Sequence, residues 1–491
     1  MRRYLKKKTL DWMKLMQRSL AAVRKLISEN RLELAYNLIV EMQKGAIHIG
    51  TQIDETGKDL EVVRDLEQFC EEIYLISEKM QLKDNCEENL QKVVKLLSVI
   101  EKKMREDIPD DKLEVVFLPY KLSMWDSLES IWMAAEADEE CNAYVVPIPY
   151  YSRKANHEFD QMFYEGRNYP SYVPVIDYQC INLEALHPDI IFFHNPYDGN
   201  NYVTSVSPEY YSEKLKKITG ELVYVPYTMV AVYANAQYAA SCYRTTGMWN
   251  CDYMIVQSEK HKELLSSFGF SEQKLLALGS PKLDATLHYM NTEENKIRNR
   301  AENRTTILLN TTIARLLNSN NWFETMDEII SIFEKDDTLF LIWRPHPLLK
   351  DTIRSMREGM EEQYNVLLSR VERMKNAMID MDTEVYPAFQ ASDALISDYS
   401  SLVCQYLATG KPILNVEGKS SDKESKIVVL DFYSSYFVED GMSYGEFIKM
   451  IKEGKDENKD LRLKALKDTV SNCDGTCGEK IYIECKKRIE I

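Results

Sequence analysis

Ala394-Leu-Ile-Ser-Asp-Tyr-Ser-Ser-Leu-Val-Cys-Gln-Tyr-Leu-Ala-Thr-Gly410 reads as a buried strand that runs directly into a helix. Apolar residues of strand length precede a turn packed with Ser397, Asp398, Ser400 and Ser401, and Gly410 falls where a left-handed helix cap belongs. Free amides at a helix start, joined by two hydroxyls, form an anion site, and a strand feeding such a helix is the unit of a parallel α/β sheet. Taken alone, the same residues equally suit a simple helix cap.

Two neighbouring segments carry the same logic. Leu341-Ile-Trp-Arg-Pro-His-Pro347 is a strand ending in Arg344 and His346, with Pro345 and Pro347 stiffening the turn that presents them. A guanidinium fork suits phosphate, and an imidazole can donate a proton or stabilise charge on a transferred phosphoryl group. Gly279-Ser-Pro-Lys-Leu-Asp284 also follows a strand and places Ser280 at a hinge between two blocks of alternating strands and helices. The first block has strands expected at Leu113 to Leu118, Ala143 to Ile148, Tyr172 to Ile176, Ile190 to Phe193, Leu222 to Val225, Tyr253 to Val256 and Leu275 to Leu278. In the second they fall at Thr306 to Leu309, Leu339 to Trp343, Ala394 to Ile396, Pro412 to Asn415 and Ile427 to Leu430. The pattern predicts an α/β protein of two Rossmann-like domains, residues 111–290 and 300–475, facing a cleft, with 476–491 as a tail or crossover helix.

Residues 1–110 differ. Between about residues 9 and 107 there is no proline, and Leu10, Met13, Leu20, Val23, Leu26, Ile27, Leu34, Leu38 and Met42 recur at helical spacing. Three or four helices, broken near Gly45 to Gly50 and Lys83 to Cys86, form either a bundle or a coiled coil that would make a homodimer.

The composition of the 491 residues, 45% hydrophobic and 28% charged, excludes a disordered or fibrous chain. A formal charge of −17 argues against a nucleic-acid partner. No apolar run reaches the roughly 20 residues of a membrane span, and the start lacks a signal-peptide pattern. Ten scattered cysteines without a CxxC pair fit a reduced, cytoplasmic protein and indicate no metal site. The basic stretch Arg2, Arg3, Lys6, Lys7 and Lys8 beside Trp12 offers a peripheral contact with an anionic membrane face.

The GSPKLD, RPHP and ISDYSS elements, in this order and at these distances, resemble the CDP-glycerol glycerophosphotransferase family, which builds teichoic-acid-like polyol-phosphate chains on GT-B folds. The resemblance covers about residues 113 to 470. It implies a CDP-glycerol or related CDP-alcohol donor held by the second Rossmann domain, with Arg344, His346, Ser397, Asp398, Ser400 and Ser401 near its pyrophosphate. An acceptor hydroxyl would attack the phosphorus next to the glycerol and release CMP. No cofactor is implied, and the residues indicate no Mg²⁺ beyond one that a donor pyrophosphate could carry in with it.

One element departs from the family. Where its members carry Trp-His-Gly-Thr, this chain reads Leu222-Val-Tyr-Val-Pro-Tyr-Thr-Met229, so Tyr227 or Thr228 occupies the position of the family's base. A tyrosine of ordinary pKa near 10 is a poor base at neutral pH. His194 and Asp198 in Phe193-His-Asn-Pro-Tyr-Asp-Gly199 would replace it, the imidazole taking the proton and the carboxylate orienting it. Lys121, Ser123, Asp126, Tyr151 and Arg153 also follow first-domain strands and suit a polyol or sugar-phosphate acceptor. A nucleotide-sugar glycosyltransferase, or a GT-B-like scaffold without catalysis, is the alternative reading of the same pattern.

Overall fold

The computed structural model describes all residues except 55–60, 155, 293–294, 358, 417–425 and 490–491. The chain divides into two compact units. One is Met1–Glu114 with Glu140–Asn142 and His187–Asp189, and the other is Val115–Glu139, Ala143–Leu186 and Ile190–Ile491.

The first unit is a bundle of four helices, α1 (Arg3–Ser28), α2 (Leu32–Asp54), α3 (Glu61–Leu82) and α4 (Glu87–Glu106). Each presents one apolar stripe: Met13, Leu20 and Val23 from α1, Leu66, Phe69 and Ile73 from α3, Leu90, Val93 and Leu97 from α4. In α2 the buried stripe is Ala35, Ile39, Met42, Ala46 and Ile49, one position out of phase with the expected Leu34, which is exposed. Nor do Gly45 and Gly50 break the chain, because α2 runs through both. A Cβ on Gly45 would lie 2.6 Å from Met16 Cε, the mobile tip of a side chain on α1. The break before α2 comes instead at Asn30, with a positive φ of 59°. Part of the basic amino-terminal cluster has partners within this unit. Lys6 Nζ donates to the Ile108 carbonyl at 2.7 Å and pairs with Asp110 at 3.0 Å, and Arg2 donates to the His187 carbonyl at 3.3 Å. Lys7 is exposed.

The second unit carries two six-stranded sheets. The first has the order Leu275–Leu276, Tyr253–Ile255, Glu221–Tyr224, Ile190–Phe193, Leu113–Leu118, Cys141–Val145, and the second Ala377–Ile379, Leu339–Pro345, Thr305–Thr311, Ala394–Ser397, Ile413–Asn415, Tyr436–Phe437. The register Val116↔Ile191↔Leu222 in one and Leu309↔Trp343 and Leu309↔Ile396 in the other is parallel. Alternation explains why these strands read as continuous apolar runs. Leu339, Leu341 and Trp343 enter the core on one face of the second sheet, while Phe340 and Ile342 enter the core on the other.

Several expectations are corrected. Tyr172 to Ile176 is not a strand, because Pro174 interrupts it and leaves an isolated bridge between Val145 and Val175. Ile427–Val428 lies outside the parallel sheet and pairs antiparallel with Val232–Tyr233. Tyr150–Arg153, Phe159–Phe163 and Thr204–Val206 form a small antiparallel sheet that the sequence pattern did not signal. The final helix, Cys477–Ile489, belongs to the first-sheet side: Tyr482 Oη and Lys486 Nζ meet Asp138 at 2.6 and 2.7 Å.

Candidate active site

All strands of a parallel sheet end on one side, so the polar residues that follow them share an edge. On the second sheet, Asn310 lies in register with both Arg344 and Ser397. Its Nδ2 donates to Ser397 Oγ at 2.9 Å and to Ser400 Oγ at 3.4 Å. Ser397 is buried and donates to the Asp398 carbonyl at 2.6 Å. The Asp398 carboxylate accepts the Thr312 N–H at 2.8 Å and lies 3.5 Å from Arg315 Nε. Ser397 and Asp398 therefore build the edge and do not face a ligand, a correction of their assignment to phosphate. Ser400 and Ser401 point outward at the start of the helix Ser401–Tyr406, which ends through a turn at Gly410 with φ 70°.

Arg344 is also corrected. Its guanidinium takes the Asp380 carboxylate at 2.6 Å and the Asp382 carbonyl at 2.6 Å, so its fork braces the 380–384 loop. His346 stands on the turn after the strand Leu339–Pro345. It is exposed, its Nδ1 accepts the Leu348 N–H at 3.2 Å, and Nε2 therefore carries the hydrogen of the neutral ring. Desolvation by neighbouring residues on one side of the ring lowers its pKa and favours the neutral form.

The first-domain dyad does not exist. His194 is wholly buried: Nε2 accepts the Tyr120 N–H at 3.2 Å, and Nδ1 meets Ser127 Oγ at 3.0 Å. Because Ser127 Oγ donates to the Met124 carbonyl, it receives the hydrogen of Nδ1. Asp198 is held instead by Ser212, through its N–H at 2.9 Å and Oγ at 2.6 Å. Tyr227 cannot replace this pair as a base, since burial pushes its phenol further above the ordinary value.

Between the two sheets lies a cavity of about 380 Å³ lined by Tyr197, Tyr227, Tyr243, His261, Ser280 and Ser401 among others. Ser280 Oγ is buried there without a hydrogen-bond partner among the described residues, ahead of the helix Pro281–Met290. Gly279 adopts a φ of 103°, and any Cβ would strike the Ser471 carbonyl oxygen. His261, missed by the sequence reading, places Nε2 2.6 Å from Tyr243 Oη, which continues to Tyr233 Oη. Its signal was position alone: it lies six residues beyond the strand Tyr253–Ile255. Tyr399, also missed, accepts the Ala231 and Val232 N–H groups at 3.2 and 3.1 Å and ties the 231–233 segment to the second sheet.

None of Lys121, Ser123, Asp126, Tyr151 and Arg153 lines this cavity. Lys121 sits over the Tyr150 ring at 5.2 Å, Tyr151 stacks on Phe159 at 4.8 Å, and Arg153 covers the same Phe159 ring at 5.4 Å. Ser123 is exposed on the turn Leu122–Ser127. Asp126 receives Lys282 Nζ on both oxygens at 2.6 Å. Asp284 accepts the Cys477 and Gly478 N–H groups at 3.2 and 2.7 Å, so two charges of the GSPKLD element serve as internal ties.

Burial drives the pKa of His194 down to about 3 and that of His261 to about 4. Both enter the folded state neutral, whereas in the unfolded chain they titrate near 6.5. Below that value the unfolded state binds protons that the folded one refuses, so stability is lost as pH falls from 6.5 towards 4, by about 2 kcal/mol per histidine between pH 7 and 5. Asp198 and Asp284, raised by burial, oppose this trend. The isolated effect is read by denaturation of wild type and His261→Gln at both pH values. Their stability difference is expected to shift by about 2 kcal/mol in the variant's favour on acidification, and an unchanged difference would contradict a neutral buried imidazole.

Two Rossmann-like sheets whose strand ends meet at a cleft define a GT-B fold. The family profile described as CDP-Glycerol:Poly(glycerophosphate) glycerophosphotransferase matches residues 227–484, and the chain belongs to that family. No curated protein matches it. Among solved structures, one described as a UDP-N-acetylglucosamine 2-epimerase from Listeria monocytogenes shares 14% identity with a TM-score of 0.51, covering 77% of this chain and 97% of its own. The wall teichoic acid polymerase TagF shares 14% identity with a TM-score of 0.48, covering 88% of this chain and 99% of its own. The match to the family starts at Tyr227, where the family's histidine motif is absent.

Proposed function

We propose that the chain binds a CDP-linked alcohol, glycerol or a relative, along the second-sheet edge and transfers its alcohol phosphate to a hydroxyl held in the cavity. The observation that carries this is that His346, with a free Nε2–H, and Ser400 and Ser401 follow the two strands flanking Thr305–Thr311, on a sheet edge that reaches the cavity through Ser401. A phosphoryl group in flight needs positioning and hydrogen-bond donors more than covalent help. The Nε2–H, the hydroxyls and the helix-start amides would take the charge that gathers on its oxygens.

In the step itself, the acceptor oxygen bonds to the phosphorus next to the alcohol while the bond to CMP breaks and CMP leaves with the electron pair. The hydroxyl proton leaves to water, and the buried, neutral Tyr243–His261 pair on the first-sheet side of the cavity orients the hydroxyl without acting as its base. The reading assigns no resident metal. Among the described residues no helix is long and apolar enough to cross a membrane, and the reading places the protein in the cytoplasm at the membrane face, with Lys7 and Lys8 as its anionic-lipid contacts.

The test is CMP release from CDP-glycerol by the purified chain, with and without a cell-membrane extract as acceptor. Acceptor-dependent release that is lost in His346→Ala and weakened in Ser400→Ala is the expected result. Release from UDP-sugars of UDP instead, with CDP-glycerol inert, would move the protein to glycosyl transfer.

A further inference from the structure

Resting on the transferase reading above, we propose that Tyr399 is a further catalytic residue, whose phenol O–H donates a hydrogen bond to the phosphoryl group in transit from an oxygen fixed by two backbone amides. The bonding of that phenol singles it out. Its oxygen accepts the Ala231 and Val232 N–H groups at 3.2 and 3.1 Å, which fills the oxygen and leaves the hydrogen to donate. Among the described residues that hydrogen has no acceptor. Tyr399 lines the cavity together with Ser401, two residues further on, where the sheet edge that takes the donor reaches the cavity. Burial pushes the phenol above its ordinary value, so it keeps its proton through the neutral range and serves as a donor and not as a base.

The two amides come from the other half of the molecule. Ala231 and Val232 follow the first-sheet strand Glu221–Tyr224, yet Ala231 is wholly buried in the core that holds Phe340 and Ile342 of the second sheet. Its carbonyl accepts the Val429 and Leu430 N–H groups at 2.7 and 3.1 Å, and Val232–Tyr233 pairs with Ile427–Val428. From the first-sheet side Gln257 grips Val230 with both ends of its amide: Oε1 accepts the Val230 N–H at 2.7 Å, and Nε2 donates to the Val230 carbonyl at 3.0 Å. The Tyr399 ring itself lies 5.3 Å from that of Phe432. A phenol held at its ring and its oxygen keeps one freedom, rotation of the hydrogen. Two N–H groups on the oxygen polarise the O–H and strengthen it as a donor. Such a preset donor needs no reorganisation as charge gathers on the phosphoryl oxygens, and its bond is stronger in the transition state than to the bound donor. The O–H keeps its proton throughout, so no further step enters the reaction.

The experiment compares the full-length wild type with Tyr399→Phe and Gln257→Leu, measuring CMP release from CDP-glycerol with a cell-membrane extract as acceptor, and CDP-glycerol binding by calorimetry. Each variant frees the 230–233 segment from one side, and only the first removes an O–H. Tyr399→Phe is expected to lower kcat about 10²-fold while the Kd for CDP-glycerol moves less than about threefold. Gln257→Leu is expected to keep kcat within about threefold of wild type, because the O–H is still in place. Equal losses in the two variants would reduce Tyr399 to a holder of the segment and overturn its role as a donor, as would a wild-type rate in Tyr399→Phe. If Tyr399→Phe also loses CDP-glycerol binding, a fluorotyrosine at position 399 decides, since it keeps the oxygen for both amides and lowers the phenol pKa. A kcat that then falls at alkaline pH where that of wild type holds supports the donor role, and an unchanged profile overturns it. Absence of CMP release by wild type overturns the transferase reading and this inference with it.

Discussion

Replacing Lys282 by methionine is expected to destabilise the second unit by about 3–5 kcal/mol, because it leaves the Asp126 carboxylate buried and unpaired. The two side chains are 9% and 13% exposed, and Nζ reaches both carboxylate oxygens at 2.6 Å. Tyr386 Oη and Gln405 Nε2 close on the same carboxylate from the second sheet's side, the latter at 3.5 Å. The ion pair thus stands where the hinge helix Pro281–Met290, the turn Leu122–Ser127 and the helix Tyr386–Ala391 converge. A buried pair is costly to break and cheap to replace whole, so Lys282→Met combined with Asp126→Leu should recover most of the loss. Urea unfolding of the two single variants and the double variant decides the matter. If the double variant is as unstable as the sum of the singles, packing and not the uncompensated charge is responsible.

That pair also shows where sequence reading stops. Asp126 looked like an acceptor residue because it follows a strand, yet its partner lies 156 residues away, a distance that no local pattern encodes. The strands themselves were legible because burial on both faces writes a run such as Leu339-Phe-Leu-Ile-Trp343, whose members alternate between two cores. The helices of the first unit were legible through their 3.6-residue stripes, though the choice between bundle and coiled coil was not, nor was the phase of α2, since Leu34 and Ala35 offer competing stripes and packing chose the smaller side chain. At the site, the sequence located the edge but not the direction of its side chains. Asp398 and Ser400, two residues apart, turn oppositely because Thr312 and Arg315, from another strand's end, claim the carboxylate. His194 failed as a base for a similar reason: strand-end position brings a polar group to an edge, and only the neighbours Tyr120 and Ser127 decide that it faces inward.

Truncating His346 is expected to lower kcat for CMP release by about 10²–10³-fold, equivalent to about 2.7–4 kcal/mol of barrier. The size follows from its role as a preorganised donor whose hydrogen is aimed by the backbone. The Leu348 N–H occupies Nδ1, and the hydrogen is fixed on Nε2 without any rearrangement during the reaction. The lowered pKa keeps that neutral donor form through the neutral pH range, so the rate should not rise as pH falls through 6.5, as it would if an imidazolium were required. Two variants separate a donor from a base. Glutamine offers an N–H near the same place and should restore part of the rate, whereas a base would be lost as fully in His346→Gln as in His346→Ala. The KM for CDP-glycerol should change little in either, because the charge that Nε2–H answers develops in the transition state and is small in the bound donor. Steady-state kinetics from pH 6 to 8 on wild type and both variants provide the measurement. Equal kcat in wild type and His346→Ala would remove His346 from the mechanism and leave the helix-start amides beside Ser400 and Ser401 as the principal donors to the transferring phosphate.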